Sequence, residues 1–231
     1  MAYDLYLDWK SWDPSRFMAL SDYESAYYEG ELRGLDLAGR QVLEVGFGSG
    51  SFLEFCRRRG GHVCGTELIP ALRERAEAAG VEVLSSTPSV IAEKFPARFD
   101  LVAAFDVFEH LTFDELVRFF ESATKLLRPG GVLVARFPNG QSPLGRVFQH
   151  GDHTHRTVLS ASIVRQLLVG SAFEIVHAGN PFHPRTGPLP KRIASGLRWA
   201  SQRAAESAIR AVYGLNVPLH PNTVIYLRKA Q

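Results

Sequence analysis

The residues with chemistry to offer fall into three stretches of the chain. The first is VLEVGFGSGSF, residues 42–52, where Gly46, Gly48 and Gly50 leave the backbone bare and the carboxylate of Glu44 comes two residues before the first of them. An apolar strand running into such a turn at a helix start is a close-approach site for a ligand, because no Cβ blocks it and unpaired helix N–H groups point outward. The second holds acids where apolar strands end: Glu67 in HVCGTEL, then Asp106 in FDLVAAFDVFEHL with Glu109 and His110 just beyond. The third is QHGDHTHRT, in which His150, His153 and His155 surround Asp152. Histidine is the side chain suited to accepting a proton near neutral pH, and Asp152 is available to orient one of the three. The same His-x-x-His-x-His spacing with an acid is also compatible with a divalent metal.

These stretches need strands and helices to bring them together. From residue 41 short apolar runs alternate with helical stretches, the pattern of βαβ units and a parallel sheet. QVLEVGF, HVCGTEL, VEVLSS, RFDLVAAFDVF, VLVARF and FEIVHAG read as strands, and the nearly unbroken apolar run RFDLVAAFDVF marks a central strand buried on both faces. Between them, SFLEFCRRRGG, PALRERAEAAG, PSVIAEKF, FDELVRFFESATKLL and ASIVRQLLVGS read as helices; Leu116, Phe119, Phe120, Ala123 and Leu127 of the fourth fall on one face. RPGG is expected to turn into the strand VLVARF. Two parts break the rhythm. Residues 138–157 make a loop longer than compact domains keep without a functional reason, and it should overhang the carboxyl ends of the strands. Residues 181–221 form a proline-flanked insertion with one helix, KRIASGLRWASQRAAESAIRAVYG, before a last strand NTVIYLRK.

The glycines at 46, 48 and 50 do not follow the G-x-G-x-x-G spacing of dinucleotide sites, since Ser51 stands where the third glycine belongs; this weakens a nicotinamide-dependent reading. The string EVGFGSG instead resembles motif I of class I S-adenosylmethionine-dependent methyltransferases, and Glu67, FDLVAAFDVFEHL and LLRPGG resemble later motifs of that superfamily in the same order, over roughly residues 40–178. The resemblance implies a Rossmann-like α/β fold: one seven-stranded, mostly parallel sheet with helices on both faces and its last strand antiparallel. It implies a single domain, with residues 1–39 as a cap, 40–180 as the core, 181–221 as a basic helical insertion over the acceptor side and 222–231 as the last strand. S-adenosylmethionine is the implied cofactor, held by Glu44, Gly46, Phe47, Gly48, Gly50, Glu67, Leu68, Ser86, Asp106 and Val107. Glu67 would accept both ribose hydroxyls and Glu44 would favour the ammonium, while loop and helix N–H groups would favour the carboxylate. Leu68 and Val107 would wall the adenine. Where many relatives carry an acid after the third strand, VLSSTP offers Ser85 and Ser86 only.

A sulfonium methyl is already activated, so the protein has to align a nucleophile and exclude water, and a hydroxyl acceptor additionally needs a base. The candidates are His153 and His155, with Asp152 to orient and His110 as a further catalytic residue; no metal is assigned. Asp106-x-x-Glu109-His110 is nonetheless similar to the acidic site of metal-requiring ubiquinone-pathway O-methyltransferases, which keeps a metal-assisted quinone or phenol acceptor open. RFPNGQSPLGRVFQHGDHTHRT, with YLDWK and PLHPNTVIYLRK, resembles bacterial methyltransferases of cell-surface polysaccharide and lipopolysaccharide synthesis. That likeness implies a sugar hydroxyl on a glycan, glycolipid or nucleotide-sugar as the expected acceptor. A non-catalytic cofactor-binding or assembly protein is the reading from another class. The aromatics Tyr3, Tyr6, Trp9, Trp12, Phe17, Tyr23, Tyr27 and Tyr28 either shape the pocket or pack it.

Composition bounds the remaining choices. The 231 residues, 45% hydrophobic and 22% charged, suit one sizeable core. Cys56 and Cys64 lack C-x-x-C spacing, so no disulfide framework or zinc ribbon is expected, and the setting is expected to be reducing and cytoplasmic. Residues 185–231 hold eight Lys/Arg against one acid, Glu206, whereas the preceding residues hold 18 against 23. This basic part is expected to face something anionic, and residues 185–213 are a candidate for peripheral contact with an anionic inner-membrane face. Neither an (Asn/Asp/Ser)-Pro-Pro-aromatic motif nor a Pro-Cys nucleophile is present, so DNA is not an expected substrate, and without a recognisable RNA-binding module RNA is disfavoured.

Overall fold

The computed structural model describes residues 16–231. Tyr3, Tyr6, Trp9 and Trp12 lie outside the described residues. A helix α1 (Asp22–Leu32) precedes the sheet, opened by a capping box in which Ser21 and Glu24 satisfy each other's backbone N–H. The core then runs β1 (Gln41–Val45), α2 (Ser51–Arg58), β2 (His62–Thr66), α3 (Pro70–Ala78), β3 (Glu82–Val83), α4 (Pro88–Lys94) and β4 (Phe99–Phe105). A 3-10 turn (Phe108–His110) leads to α5 (Phe113–Leu126), β5 (Leu127–Pro138), α6 (Gly145–Gln149), α7 (Ala161–Leu167) and β6 (Phe173–Gly179). The chain closes with α8 (Leu189–Tyr213) and β7 (Asn222–Lys229).

The seven strands lie in the order β3-β2-β1-β4-β5-β7-β6. Only β7 runs against its neighbours, antiparallel to both β5 and β6. This is the fold that the resemblance implies. The order reverses between β1 and β4, and in an open α/β sheet the crevice at the carboxyl ends of two such strands is where ligands bind. Buried on both faces, β4 is apolar at every position but Asp100, as a central parallel strand should be, whereas β1 carries the buried Glu44 among its apolar residues.

One face of the sheet is covered by α4, α5 and α7, and the other by α1 and α2. On the first, Phe108 meets Phe119, Phe120 and Phe137 at ring-centroid distances of 5.0, 5.5 and 5.9 Å. Each such buried ring contributes about 1.5–3 kcal/mol, and together they anchor the turn that carries Glu109 and His110. On the second, Tyr28 of α1 packs against Phe52, Phe55 and Phe105, so the N-terminal helix is tied to the end of β4. The aromatics expected to shape or pack the pocket divide accordingly: Tyr27 and Tyr28 are buried, Phe17 meets Phe47 edge-on, and Tyr23 is exposed.

RPGG does turn into VLVARF as expected: β5 pairs with β4 at Leu127 and again from Val132, and the four residues between loop out of the ladder with Gly130 at φ 74°. Two local expectations change. The third strand shrinks to Glu82–Val83, because only Cys64 and Gly65 of β2 pair with it. The long loop after β5 contains the short helix α6.

Candidate active site

Beyond β1 the chain makes its glycine turn with Gly46 at φ 69°. A Cβ there would lie 2.8 Å from Val107 Cγ2, so the turn can pass beneath the end of β4 only as glycine. The turn's own donors are largely spent within the protein. Gly46 and Phe47 donate to Thr66 O at 2.8 and 3.1 Å, Gly50 donates to Phe47 O, and Gly48 donates to Glu67 Oε2 at 3.0 Å. These loop N–H groups are thus engaged within the protein, and beside them, at the start of α2, the Ser51 and Tyr28 hydroxyls meet at 2.8 Å. Gly50 is also displaced from its expected role: it caps α2 in a left-handed conformation beneath Met18 and Phe17 and does not line the cavity.

A cavity of about 420 Å³ opens over this turn. Two carboxylates face it in different states. Glu67 is held at its edge, with Oε1 accepting from the Leu68 and Ile69 N–H groups at 2.7 and 3.1 Å and Oε2 from Gly48 at 3.0 Å; Oε2 keeps a second lone pair for a ligand. Glu44 is buried, its Oε2 without a hydrogen-bond partner. Burial, then the charge of Glu67, push its carboxyl well above the usual range, against the Leu53 N–H. A buried acid in want of a partner is a place where a ligand cation would be welcome. Leu68, Ser86, Asp106 and Val107 line the same cavity, as does Phe47, so the structure brings together every expected cofactor residue but Gly50.

The other end of the cavity is built from β4, β5 and the loop behind them. Asp106 follows β4 in the left-handed region at φ 57°, a costly conformation for a residue with a Cβ. It is held there by Arg136 at the end of β5, whose Nε donates to Oδ1 at 2.9 Å and whose second nitrogen bridges Oδ2. His110 lines the cavity. Its Nδ1 lies 3.0 Å from Thr154 Oγ1 and 3.3 Å from Thr154 O, while Thr154 Oγ1 donates to Asp152 Oδ1 at 2.6 Å. A carbonyl can only accept and the hydroxyl proton is already committed, so Nδ1 carries the ring proton and Nε2 is the basic nitrogen.

The histidine loop is strapped onto this turn. Arg156 and Thr157 both donate to Glu109 O, at 2.7 and 3.1 Å. His155 packs edge-on against His110 with centroids 4.8 Å apart, and its Nε2 is 3.7 Å from Asp152 and 3.9 Å from Glu109. It lies behind His110 and does not line the cavity. His153 is exposed: Asp152 accepts from both Thr154 N–H and its hydroxyl, a tight turn that puts His153 at its apex. Of the histidines expected as catalytic, His110 alone lines the cavity, and Thr154 connects it to Asp152, while His153 and His155 lie outside the lining. Ligand atoms of Glu109, His110 and His155 lie within 4.8 Å of one another, close enough to meet one cation. Asp106 does not join them, because Arg136 holds it away.

Arg136, Arg156 and Thr154 belong to this neighbourhood without having been singled out from the sequence. A signal existed for one of them: Arg136 is a lone cation near the end of the otherwise apolar VLVARF, and a charge in a buried strand must have a partner. The insertion was expected over the acceptor side, yet α8 contributes none of the lining residues.

A family model described as a methyltransferase domain matches residues 26–178. The chain belongs to that methyltransferase family. Among solved structures, an S-adenosylmethionine-dependent methyltransferase from Archaeoglobus fulgidus superposes with a TM-score of 0.66 at 18% identity, over 99% of this chain and 100% of that one. The cyclopropane synthase MmaA2 from Mycobacterium tuberculosis gives 0.59 at 16% identity, over 93% and 88%. At these identities the likeness is one of fold. The expectations of a class I methyltransferase fold and of S-adenosylmethionine as cofactor both stand. Among curated proteins, a ubiquinone biosynthesis O-methyltransferase from Xylella fastidiosa (strain M23) is 32% identical over 106 residues, 43% of this chain and 42% of that protein. One from Pseudomonas fluorescens (strain SBW25) is 28% identical over 127 residues, 52% and 54%. The matches to this methyltransferase span about half the length of those relatives. The resemblance to polysaccharide and lipopolysaccharide methyltransferases finds no support among these proteins.

Proposed function

We propose that this methyltransferase O-methylates a small aromatic acceptor of the phenol or quinol class. The observation that carries the reading is the pairing, in one cavity, of a buried acid with one oxygen lacking a partner and a histidine whose proton is fixed on Nδ1. Glu44, Glu67 and the Gly46–Gly48 turn would hold S-adenosylmethionine, with Leu68, Ser86, Asp106 and Val107 beside it. When bound, that cofactor supplies a methyl group already activated by a sulfonium. His110 Nε2 would take the acceptor hydroxyl's proton as the oxygen attacks. Thr154 and Asp152 keep the ring oriented and favour its charged form once protonated, a relay of position and not of protons. Phe105, Leu111 and Phe119 give the acceptor end an apolar lining that suits a flat ring, and the arginines there are already engaged by Asp106 and Glu115. The names of the curated relatives support the same acceptor class over a sugar.

The test joins binding to turnover. Calorimetry should show S-adenosylhomocysteine bound by the wild type and roughly thirty-fold weaker binding by Glu67→Ala, the loss of one hydrogen bond to a charged group. Methyl transfer should then occur to catechol or quinol acceptors and not to nucleotide-sugars. Transfer to sugars alone would reinstate the glycan acceptor, and binding without any turnover would favour the non-catalytic reading.

A second reading rests on the Glu109, His110 and His155 cluster, which fits a divalent cation beside the acceptor oxygen. Metal analysis and activity after chelation decide it: full turnover by metal-free protein removes this reading and leaves His110 as the base.

A further inference from the structure

A surface helix of a globular protein normally turns its apolar side inward. In α8 that order is inverted. At 3.6 residues per turn, Ser195, Gln202, Glu206 and Ile209 share one side, and the contacts show that this polar side faces the domain. Ser195 Oγ is hydrogen-bonded to His183 Nε2 at 2.7 Å, and Glu206 accepts from Asn180, from Gln202 and from the Leu219 N–H at 3.3, 3.2 and 2.8 Å. The opposite side carries Leu189, Ile193, Leu197, Ala200, Ala204 and Ala208, all exposed. Leu189, Ile193 and Leu197 show 66%, 53% and 64% of their surface to solvent. Cations flank this aliphatic stripe on both edges, Arg192, Arg203 and Arg210 along one and Arg198 along the other. The helix's one acid, Glu206, is turned away from them into the domain.

We propose that α8 seats this protein on an anionic lipid bilayer, lying in the interface with its aliphatic stripe toward the acyl chains and its two basic edges among the headgroups. That is the arrangement in which an in-plane helix gains both apolar burial and electrostatic attraction. No helix among the described residues is long and apolar enough to cross a membrane, so the contact is peripheral. Charge argues against a second copy as the occupant: two such helices would bring cations together along both edges with no acid to meet them. The outermost stripe is aliphatic and carries no aromatic ring on which bases would stack, which argues against nucleic acid. The inference does not depend on the acceptor proposed above.

Sedimentation of the full chain with vesicles tests it. Vesicles of phosphatidylcholine mixed with phosphatidylglycerol should carry the protein down, and phosphatidylcholine alone should not. Arg192→Ala/Arg203→Ala should weaken this binding about thirty-fold, given roughly fivefold for each cation near an anionic surface. Ile193→Glu/Leu197→Glu should abolish it, and raised salt should release the wild type. S-adenosylhomocysteine affinity should stay within about twofold in both variants, since α8 takes no part in the cavity. No sedimentation at low salt, equal binding to both vesicle types, or variants that bind as the wild type does would each overturn the proposal. So would lipid-free dimers that the Ile193→Glu/Leu197→Glu change dissolves, or vesicle binding displaced by duplex RNA at low concentration.

Discussion

The two ends of the same sheet treat charge in opposite ways. At its amino end Asp100 sits under β4 with all its demands met: the Gln41 N–H donates to it at 2.8 Å, Arg128 at 2.8 Å and Arg40 at 3.2 Å, so the starts of β1, β4 and β5 are knotted together. Burial alone would raise that carboxyl, but the Gln41 N–H and the two guanidinium groups hold it below the usual range. At the carboxyl end Glu44 is pushed the other way, and Asp106 is bent into a backbone region that suits glycine. One end is organised to hold the strands and the other to hold something that is not part of the chain. Stability and chemistry therefore draw on different edges of a single element.

Substitutions can break or sharpen that contrast. The largest effect is expected for His110→Ala, with turnover falling about a thousand-fold while S-adenosylhomocysteine affinity and the unfolding midpoint stay near wild type; calorimetry and denaturant melts alongside the transfer assay check this. An equal loss of stability would make His110 a structural brace and blur the two ends. Next, Asp100→Ala should destabilise by about 2 kcal/mol, the worth of hydrogen bonds to a charge discounted for the half-exposed arginines. Turnover per folded molecule should be unchanged. The sign with pH follows from the lowered carboxyl: its contribution is present above the unfolded value near pH 3.9 and is lost as pH falls through the folded one. Denaturant melts should thus find the gap between wild type and variant closing in acid.

The smallest and most diagnostic effect belongs to Glu44→Gln. A raised carboxyl penalises the fold once pH exceeds the unfolded value near 4.3, so the neutral side chain should stabilise by about 1 kcal/mol at pH 7 and by nothing near pH 4. Cofactor affinity should move the opposite way, falling about tenfold as the charge opposite an ammonium is removed. Thermal melts at both pH values and calorimetry with S-adenosylmethionine read the two signs separately. A variant that is less stable, or that binds as tightly as the wild type, would place Glu44 with Asp100 among residues that hold the strands.

Much of this was legible where one local pattern decides the outcome. Apolar runs of strand length fixed β1, β4, β6 and β7, and EVGFGSG with Glu67 located the cofactor end, because each signal lies within a few neighbouring residues. The acceptor end was harder, since its parts meet from distant places. His110 and Thr154 are brought together by the strap from Arg156 and Thr157 to the Glu109 carbonyl, a main-chain contact that residue types do not announce. For the same reason three histidines in one loop looked alike, although a two-residue turn at Asp152 buries one behind the site and leaves another in solvent. Helix α8 was legible as helix and as basic, but not in its orientation. That depends on Ser195 and Glu206 finding partners in His183, Asn180 and Leu219.

The backward course of β7 has one more implication. Gly179 at the end of β6 pairs with Val224 near the start of β7, so residues 180–221 depart from and return to the sheet at a single rim, the one on which the cavity opens. A detour with both feet on one edge leaves every strand register untouched whatever its length, and closing a longer loop costs only slowly more. That stretch is thus a detachable cassette, the place in the architecture where a lineage could exchange the mooring without retuning the chemistry beside it.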